Sequence, residues 1–307
     1  MVEKRNYNGL TWIDASCPTS EEVRALVAEY RIAPRAGEEL FIPTTKPKVD
    51  PYADHLYLIL HFPAAGLRAR TGATQEIDFV IGKDFLLTVH YEPVEPLRVF
   101  AKAFEVGALR DRGLGDEGGT HGGHLFSPLL KSLYGSLLRD LEHLESTLVA
   151  IEKSVFEESD RSLVGRLSLA GRELLAFKQA TRLHHDVLES LQTAGGKVFG
   201  EDFKESLTGA LGAYYRVREA LESNKELLHE LRVTHDALVS AKQNEVIRTL
   251  TIISFAILPL ALIAAIFTMD VPDKPLSASP HGFYGVLIIM LVTLGGIVGY
   301  FKMRKWL

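Results

Sequence analysis

Hydrophobic positions change their period twice along this chain. From residue 9 to about residue 100, short apolar runs are punctuated by Gly, Pro and Asp, the pattern of a small α/β unit. Leu10 to Asp14 reads as a strand, and Cys17-Pro18-Thr19 as a turn. Thr19 with Glu22 three residues later forms a capping box. It opens a helix through Val23, Leu26, Val27 and Tyr30 that Pro34 is expected to end. His55 to Phe62 is almost continuously apolar and closed by Pro63. Glu76 to Ile81 and Phe85 to His90 read as two strands of a hairpin across Gly82-Lys83-Asp84. From Ser127 the period becomes helical. Ser127-Pro128 predicts an N-cap followed by proline at the first helical position. Leu130, Leu133, Leu137, Leu141, Leu144, Leu148, Ile151 and Val155 then hold one apolar stripe. A second helix is predicted from Leu163 to about Leu191, before Gly195-Gly196. A third starts near Glu201 and meets no proline until Pro259. Along it Tyr214, Val217, Leu221, Asn224, Leu228, Leu231, His235 and Leu238 recur at spacings of 3 and 4. Asn224 and His235 are polar members of that seam, where such residues fix register and oligomer number.

The third pattern is two long apolar runs, Val246 to Met269 and Phe283 to Phe301. A bilayer core needs ~20 apolar residues per spanning helix, and both runs are long enough. Asp270, Pro272, Asp273, Lys274, Pro275 and Pro280 stand in the linker between them, residues 270–282. Arg232, Lys242 and Arg248 precede the first run, and Lys302, Arg304 and Lys305 follow the second as a basic ring at the cytoplasmic face. Basic flanks stay inside, so both termini are expected in the cytoplasm and the linker outside an inner or plasma membrane. Tyr300 and Trp306 stand where interfacial aromatics anchor a span. The third helix has no break before the first run. Residues 201 to 269 would then form one helix roughly 100 Å long at about 1.5 Å per residue, which calls for partner helices. The expected organisation is an α/β domain over 1–126, a helical stalk over 127–245 and a transmembrane domain over 246–307, with spans 246–269 and 283–301.

Within the first run, Thr251, Ser254, Leu258, Ala261, Ala265 and Thr268 follow one another at spacings of 3, 4, 3, 4 and 3. That rhythm keeps them on one helical face. Two readings stand. Small and hydroxyl residues form close-packing seams between helices in lipid. The same face, repeated around an axis by several copies, would line a narrow pore.

Composition narrows the class. The 307 residues are 47% hydrophobic and carry a net charge of −5, which offers no basic surface to nucleic acid. The single cysteine, Cys17, excludes an internal disulfide. The N-terminal MVEKRNYNGLTWID has no apolar core and is not a signal peptide. Residues 107 to 124 are glycine-rich and read as a flexible loop, with His121 and His124 spaced as a transition-metal pair but without a scaffold to fix them. No P-loop and no catalytic triad is visible, so the chain is not expected to be an enzyme.

Taken in order, several short motifs resemble the CorA superfamily of divalent-cation transporters over almost the whole chain. They are Trp12-Ile13-Asp14 with Pro18-Thr19 and Glu22, Pro47-Lys48-Val49-Asp50, Phe85 to His90, Asn244-Glu245-Val246, Leu250 to Ile253, Leu258-Pro259-Leu260 and the ending Tyr300 to Leu307. The resemblance implies an α+β membrane protein, a homopentameric funnel whose cytoplasmic α/β domain sits on long helices continuous with the first of two C-terminal spans. It implies passive influx of Mg2+-type cations, with Zn2+, Co2+ or Ni2+ as other cargo, no resident cofactor, and only the bilayer and other copies of the chain as partners. Asn244 falls at the cytoplasmic mouth, Leu250 and Leu258 at hydrophobic constrictions, and Ala261 where threonine is common. Where the family carries Gly-Met-Asn, this chain has Thr268-Met269-Asp270. Aspartate in place of asparagine would present a ring of carboxylates as a metal site at Asp270, reinforced by Asp273. Gly209 and Val233 stand where well-known members carry regulatory aspartates. A zinc carrier of the ZntB type, proton-coupled through Asp270, and a non-conducting or mechanosensitive scaffold remain as alternatives.

Overall fold

The sheet forms because its central strands have apolar side chains to bury on both faces. A computed structural model describes residues 1–7, 9–44, 46–64, 73–105, 121–157, 161–269 and 281–304. Its strands are β1 (Val2–Tyr7), β2 (Leu10–Ser16), β3 (Lys48–Pro51), β4 (Leu56–Pro63), β5 (Thr74–Ile81) and β6 (Phe85–His90). They form one sheet in the order β1-β2-β6-β5-β4-β3, antiparallel throughout except for the parallel pair β2 and β6. Every residue of β4 is buried, which accounts for its unbroken apolar sequence. Leu56, Leu58, Leu60 and Phe62 face one core layer with Ile77, Phe79 and Leu86. Tyr57 and Ile59 face another with Val80, Leu87 and Val89. The expected β5–β6 hairpin is present. β1 was not expected, because an edge strand rich in Glu, Lys and Arg shows no apolar alternation.

The helices are α1 (Ser20–Glu29), α2 (Pro34–Glu39), α3 (Glu95–Glu105), α4 (Gly123–Glu157), α5 (Arg161–Thr181), α6 (His184–Phe199), α7 (Glu201–Thr268) and α8 (Gly282–Met303). The capping box of α1 is closed in both directions: Glu22 N–H donates to Thr19 Oγ1 at 3.2 Å and Thr19 N–H to Glu22 Oε2 at 2.8 Å. Thr19→Ala should cost about 1 kcal/mol of stability, read as a lower melting midpoint of the full chain. Pro34 does not end α1. That helix stops at Tyr30, and Pro34 opens α2 at its first position.

Three further expectations are corrected. α4 begins at Gly123, so Ser127-Pro128 lies inside its first turns rather than at its cap. The predicted second helix is two helices, α5 and α6. Gly195 and Gly196 sit inside α6 because a Cβ on Gly195 would overlap the Phe203 ring; the helix stops instead at Gly200, whose φ of 91° suits glycine. The seam of α7 is occupied by this chain's own helices as far as Leu231. Asn224 is buried and its Nδ2 donates to the Leu141 carbonyl at 3.0 Å, so it sets the register of α7 against α4 within one subunit. The α4 stripe from Leu130 to Val155 is buried as expected. The chain divides into two compact units, Met1–Arg232 and Val233–Leu307.

Candidate functional site

In the second unit, burial divides the apolar part of α7 into two opposite stripes. Ile252, Ala256, Leu260, Ile263 and Phe267 are partly covered, whereas Ser254, Leu258, Ala261, Ala265 and Thr268 are exposed. At 3.6 residues per turn the two sets lie roughly 180° apart. α8 supplies the cover, with Val286, Met290, Thr293 and Ile297 half-buried and Phe301 buried. Phe255 meets Phe301 edge-on at 6.4 Å between ring centroids. Both helices are long and apolar enough to cross a membrane.

The small-residue face is therefore turned away from α8 and has no partner among the described residues of the unit. Leu258 on it is 74% exposed, and Leu250, one turn before Ser254, is 63% exposed. Asn244 is also exposed. Thr251 differs from the rest of the set. It is half-buried at the border of the face and lines a cavity of about 550 Å3 between α7 and α8 with Phe255, Thr293, Gly296, Tyr300 and Arg304.

The hydroxyls on α7 donate to their own helix. Thr251 Oγ1 bonds the Ile247 carbonyl at 2.7 Å and Thr268 Oγ1 the Ala265 carbonyl at 2.9 Å. With its hydrogen committed, Thr268 presents oxygen lone pairs on the exposed face, which suits water or a cation, and Thr251 presents its own toward the cavity. Pro259 carries no N–H, so the Phe255 carbonyl lacks its usual helical donor within the span. The helix closes with Met269 N–H donating to Ala265 O at 3.2 Å. Its C-terminal carbonyls carry the negative end of the helix dipole, which favours cations there. Asp270 and Asp273 lie outside the described residues, as does Lys305. Lys302 stands in the last turn of α8. The Arg304 guanidinium lies 5.9 Å from the centre of the Tyr300 ring.

The histidine pair stands in the first unit. Residues 106–120 of the glycine-rich stretch lie outside the described residues, but His121 and His124 are held firmly at the start of α4. Their rings stack at 4.5 Å, and His121 also stacks on Phe199 at 5.2 Å. Gly123 N–H donates to His121 Nδ1 at 3.1 Å. That bond assigns the ring proton to Nε2 and leaves no lone pair for a metal. Burial and then the neighbouring His124 push the His121 pKa down to about 4. Among the described residues no group of three or more His, Cys, Asp or Glu side chains is arranged to hold a metal. The pair is aromatic packing.

Reading the sequence missed a polar cluster inside the sheet, His61, Glu76 and Asp78, and the buried His184. The available signal was a single polar residue interrupting an apolar run, as in Leu56 to Phe62 or Ile77 to Ile81.

A family model described as CorA-like Mg2+ transporter protein matches residues 7–304. The Bacillus subtilis protein YfjQ is 23% identical over 296 residues, covering 96% of this chain and 89% of that protein. The cobalt/magnesium transport protein CorA of Thermotoga maritima is 22% identical over 307 residues, covering 99% and 85%. The zinc transport protein ZntB of Pectobacterium carotovorum is 19% identical over 190 residues, covering 62% and 58%. The solved structure of the CorA magnesium transporter from Methanocaldococcus jannaschii superimposes with a TM-score of 0.80 at 21% identity, covering 97% of this chain and 92% of that one. That likeness extends to the α/β unit, the long helix and the two C-terminal apolar helices. With the model spanning nearly its whole length, the chain belongs to the CorA-like family of membrane transporters for divalent cations and is not an enzyme.

Proposed function

We propose that this chain is a passive channel of Mg2+ type, in which five copies surround a pore and the membrane potential drives divalent cations into the cytoplasm. The observation that carries this reading is the face of α7 opposite α8, where Ser254, Leu258, Ala261, Ala265 and Thr268 are exposed among the described residues of the chain. A bilayer gives such a face two uses, a seam with another helix or the wall of a water-filled path. Its small side chains and the committed hydroxyl of Thr268 suit the second. Asn244 stands at the cytoplasmic mouth, Leu250 and Leu258 form apolar constrictions, and Thr268-Met269-Asp270 is the outer loop. Five Asp270 carboxylates with Asp273 behind them attract cations to the entrance. Both termini are cytoplasmic, with Lys302, Arg304 and Lys305 forming the basic ring. A divalent ion gains about 4.6 kcal/mol per 100 mV of inside-negative potential. At about 1.4 kcal/mol per factor of ten, that supports more than thousandfold accumulation without ATP.

Two observations favour a second reading, a zinc carrier coupled to protons. One is the likeness to ZntB. The other is aspartate in place of the family's asparagine in the outer loop.

Proteoliposomes under an imposed potential separate the two. The channel reading expects Mg2+, Co2+ or Ni2+ uptake that grows with the potential and slows in Asp270→Asn. Zn2+ uptake that instead follows a pH gradient supports the carrier. Wild-type vesicles tight to all four ions would leave a non-conducting scaffold and remove both.

A further inference from the structure

The cavity between α7 and α8 has a polar end and an apolar body. Tyr300 and Arg304 stand at the polar end, with the guanidinium 5.9 Å from the ring centre. Phe255, Val292, Ile297 and Phe301 supply apolar walls. The two hydroxyls on those walls are engaged within their own helices. Thr251 Oγ1 donates to the Ile247 carbonyl at 2.7 Å, and Thr293 Oγ1 to the Ile289 carbonyl at 2.8 Å. Free donors are therefore concentrated at the Arg304 end. Among the described residues no carboxylate pairs with Arg304, whose side chain meets only the Tyr300 ring.

Gly296 keeps the recess open. A Cβ there would meet nothing within 4 Å, so the contact of α7 with α8 does not require glycine, which weakens a helix relative to alanine. The dimensions match one leaflet. Val292 and Arg304 lie roughly 18 Å apart along α8 at about 1.5 Å per residue, and half of a hydrocarbon core of ~30 Å is about 15 Å. Tyr300 stands at the interfacial end, where aromatic residues anchor spans. Charge decides what fills the space. Arg248 stands one turn before Thr251 on α7, and Lys302 in the last turn of α8. Glu245 is the carboxylate nearest to them along α7. A second copy of these spans would bring the same cations to this end, whereas a phosphate group would neutralise them.

We propose that this cavity holds one anionic phospholipid from the leaflet at the Arg304 end, with its phosphate on Arg304 and an acyl chain lying along Gly296. A guanidinium presents paired N–H donors that match two phosphate oxygens. The Tyr300 ring attracts the cation and keeps it at the interface. Basic pockets between spans take acidic headgroups for the same reason. Below the headgroup the recess has no free donor, so it suits hydrocarbon. The site lies between the two spans rather than on the exposed face of α7, and it does not depend on how the pore conducts.

Native mass spectrometry tests this on the full chain, released from detergent micelles supplied with dioleoyl phosphatidylglycerol or dioleoyl phosphatidylcholine. The expected result is retained phosphatidylglycerol in clear excess over phosphatidylcholine, undisturbed by inorganic phosphate. Arg304→Gln should weaken phosphatidylglycerol retention roughly fivefold and leave phosphatidylcholine unchanged. Gly296→Leu fills the recess without a clash at its Cβ and should remove the retained lipid of both kinds. Leu291→Phe, on α8 but outside the cavity, should retain lipid as wild type does. Melting midpoints identify any variant that fails to fold, and if Gly296→Leu is one, the exposed Arg304→Gln decides. Equal retention of the two lipids by wild type, displacement by inorganic phosphate, or wild-type retention in folded Gly296→Leu or Arg304→Gln overturns the site. So does a wild-type oligomer that carries no lipid and dissociates in Gly296→Leu, which would assign the recess to a second copy.

Discussion

Phenylalanine in place of Ala261 is expected to bring divalent-cation uptake down to that of protein-free vesicles, a fall of at least roughly a hundredfold, or about 2.7 kcal/mol of added barrier. Ala261 lies at the middle of the exposed face of α7, between Leu258 and Ala265 and opposite the stripe that α8 covers. Ala261 is exposed among the described residues of the membrane unit, so the larger ring does not disturb the contact of Phe255 with Phe301. In a pentamer the substitution is multiplied by five around the axis. A path wide enough for a hydrated ion becomes an apolar plug, which excludes water as well as charge. Leu291→Phe on α8 is the control. Leu291 is 59% exposed, and a conservative exchange there should leave uptake intact. Uptake by Ala261→Phe at the wild-type rate would mean that this face is a packing seam and that ions pass elsewhere.

That face was readable from the sequence because a bilayer imposes a simple rule. Spans must be long and apolar, so a departure from bulk and apolarity at helical spacing stands out, as Ser254, Ala261 and Ala265 do. The α4 stripe was equally plain, since every third or fourth residue from Leu130 to Val155 has to be buried. Other features were hidden by the same physics. A heptad seam looks identical whether its partner is another copy or the same chain, and so Asn224 pointed to oligomer register although it binds the Leu141 carbonyl of its own subunit. The glycines of α6 resembled a terminus because Phe203, the side chain that requires Gly195, comes eight residues later. The strand β1 carries no apolar alternation. The pairing of Glu76 with His61 depends on strand register, which spacing along the chain does not reveal. The proposed role of Asp270 in ion choice rests only on comparison with the family's motif, since no spacing along the chain points to it.

His184 connects the layers of the soluble unit and makes that unit sensitive to acid. It is fully buried on α6, with Nδ1 2.9 Å from the Tyr134 hydroxyl and Nε2 2.7 Å from the His61 carbonyl. A neutral ring satisfies both contacts, accepting from the tyrosine and donating to the carbonyl. A second ring proton would face the Tyr134 hydroxyl in an apolar core, and burial accordingly pushes the pKa down to about 4, against an ordinary value of 6.5. Below pH 6.5 the unfolded chain gains a proton here that the folded chain refuses until about pH 4. Stability from this group is therefore present above that window and is lost as pH falls through it, at about 1.4 kcal/mol per pH unit and about 3 kcal/mol in all. His121 acts in the same direction. His61 and His90 are raised, so their contributions change only above pH 6.5. Asp78 and Asp140 are also raised and oppose the loss within the window. A single substitution isolates the one group. His184→Phe should cost about 2–4 kcal/mol near pH 7.5, because it leaves the Tyr134 hydroxyl and the His61 carbonyl buried without partners. Because phenylalanine does not titrate, the difference from wild type should close as pH approaches 4.5. Melting midpoints of the full chain in detergent at the two pH values measure this, and a gap of constant size would mean that His184 is not held neutral in the fold.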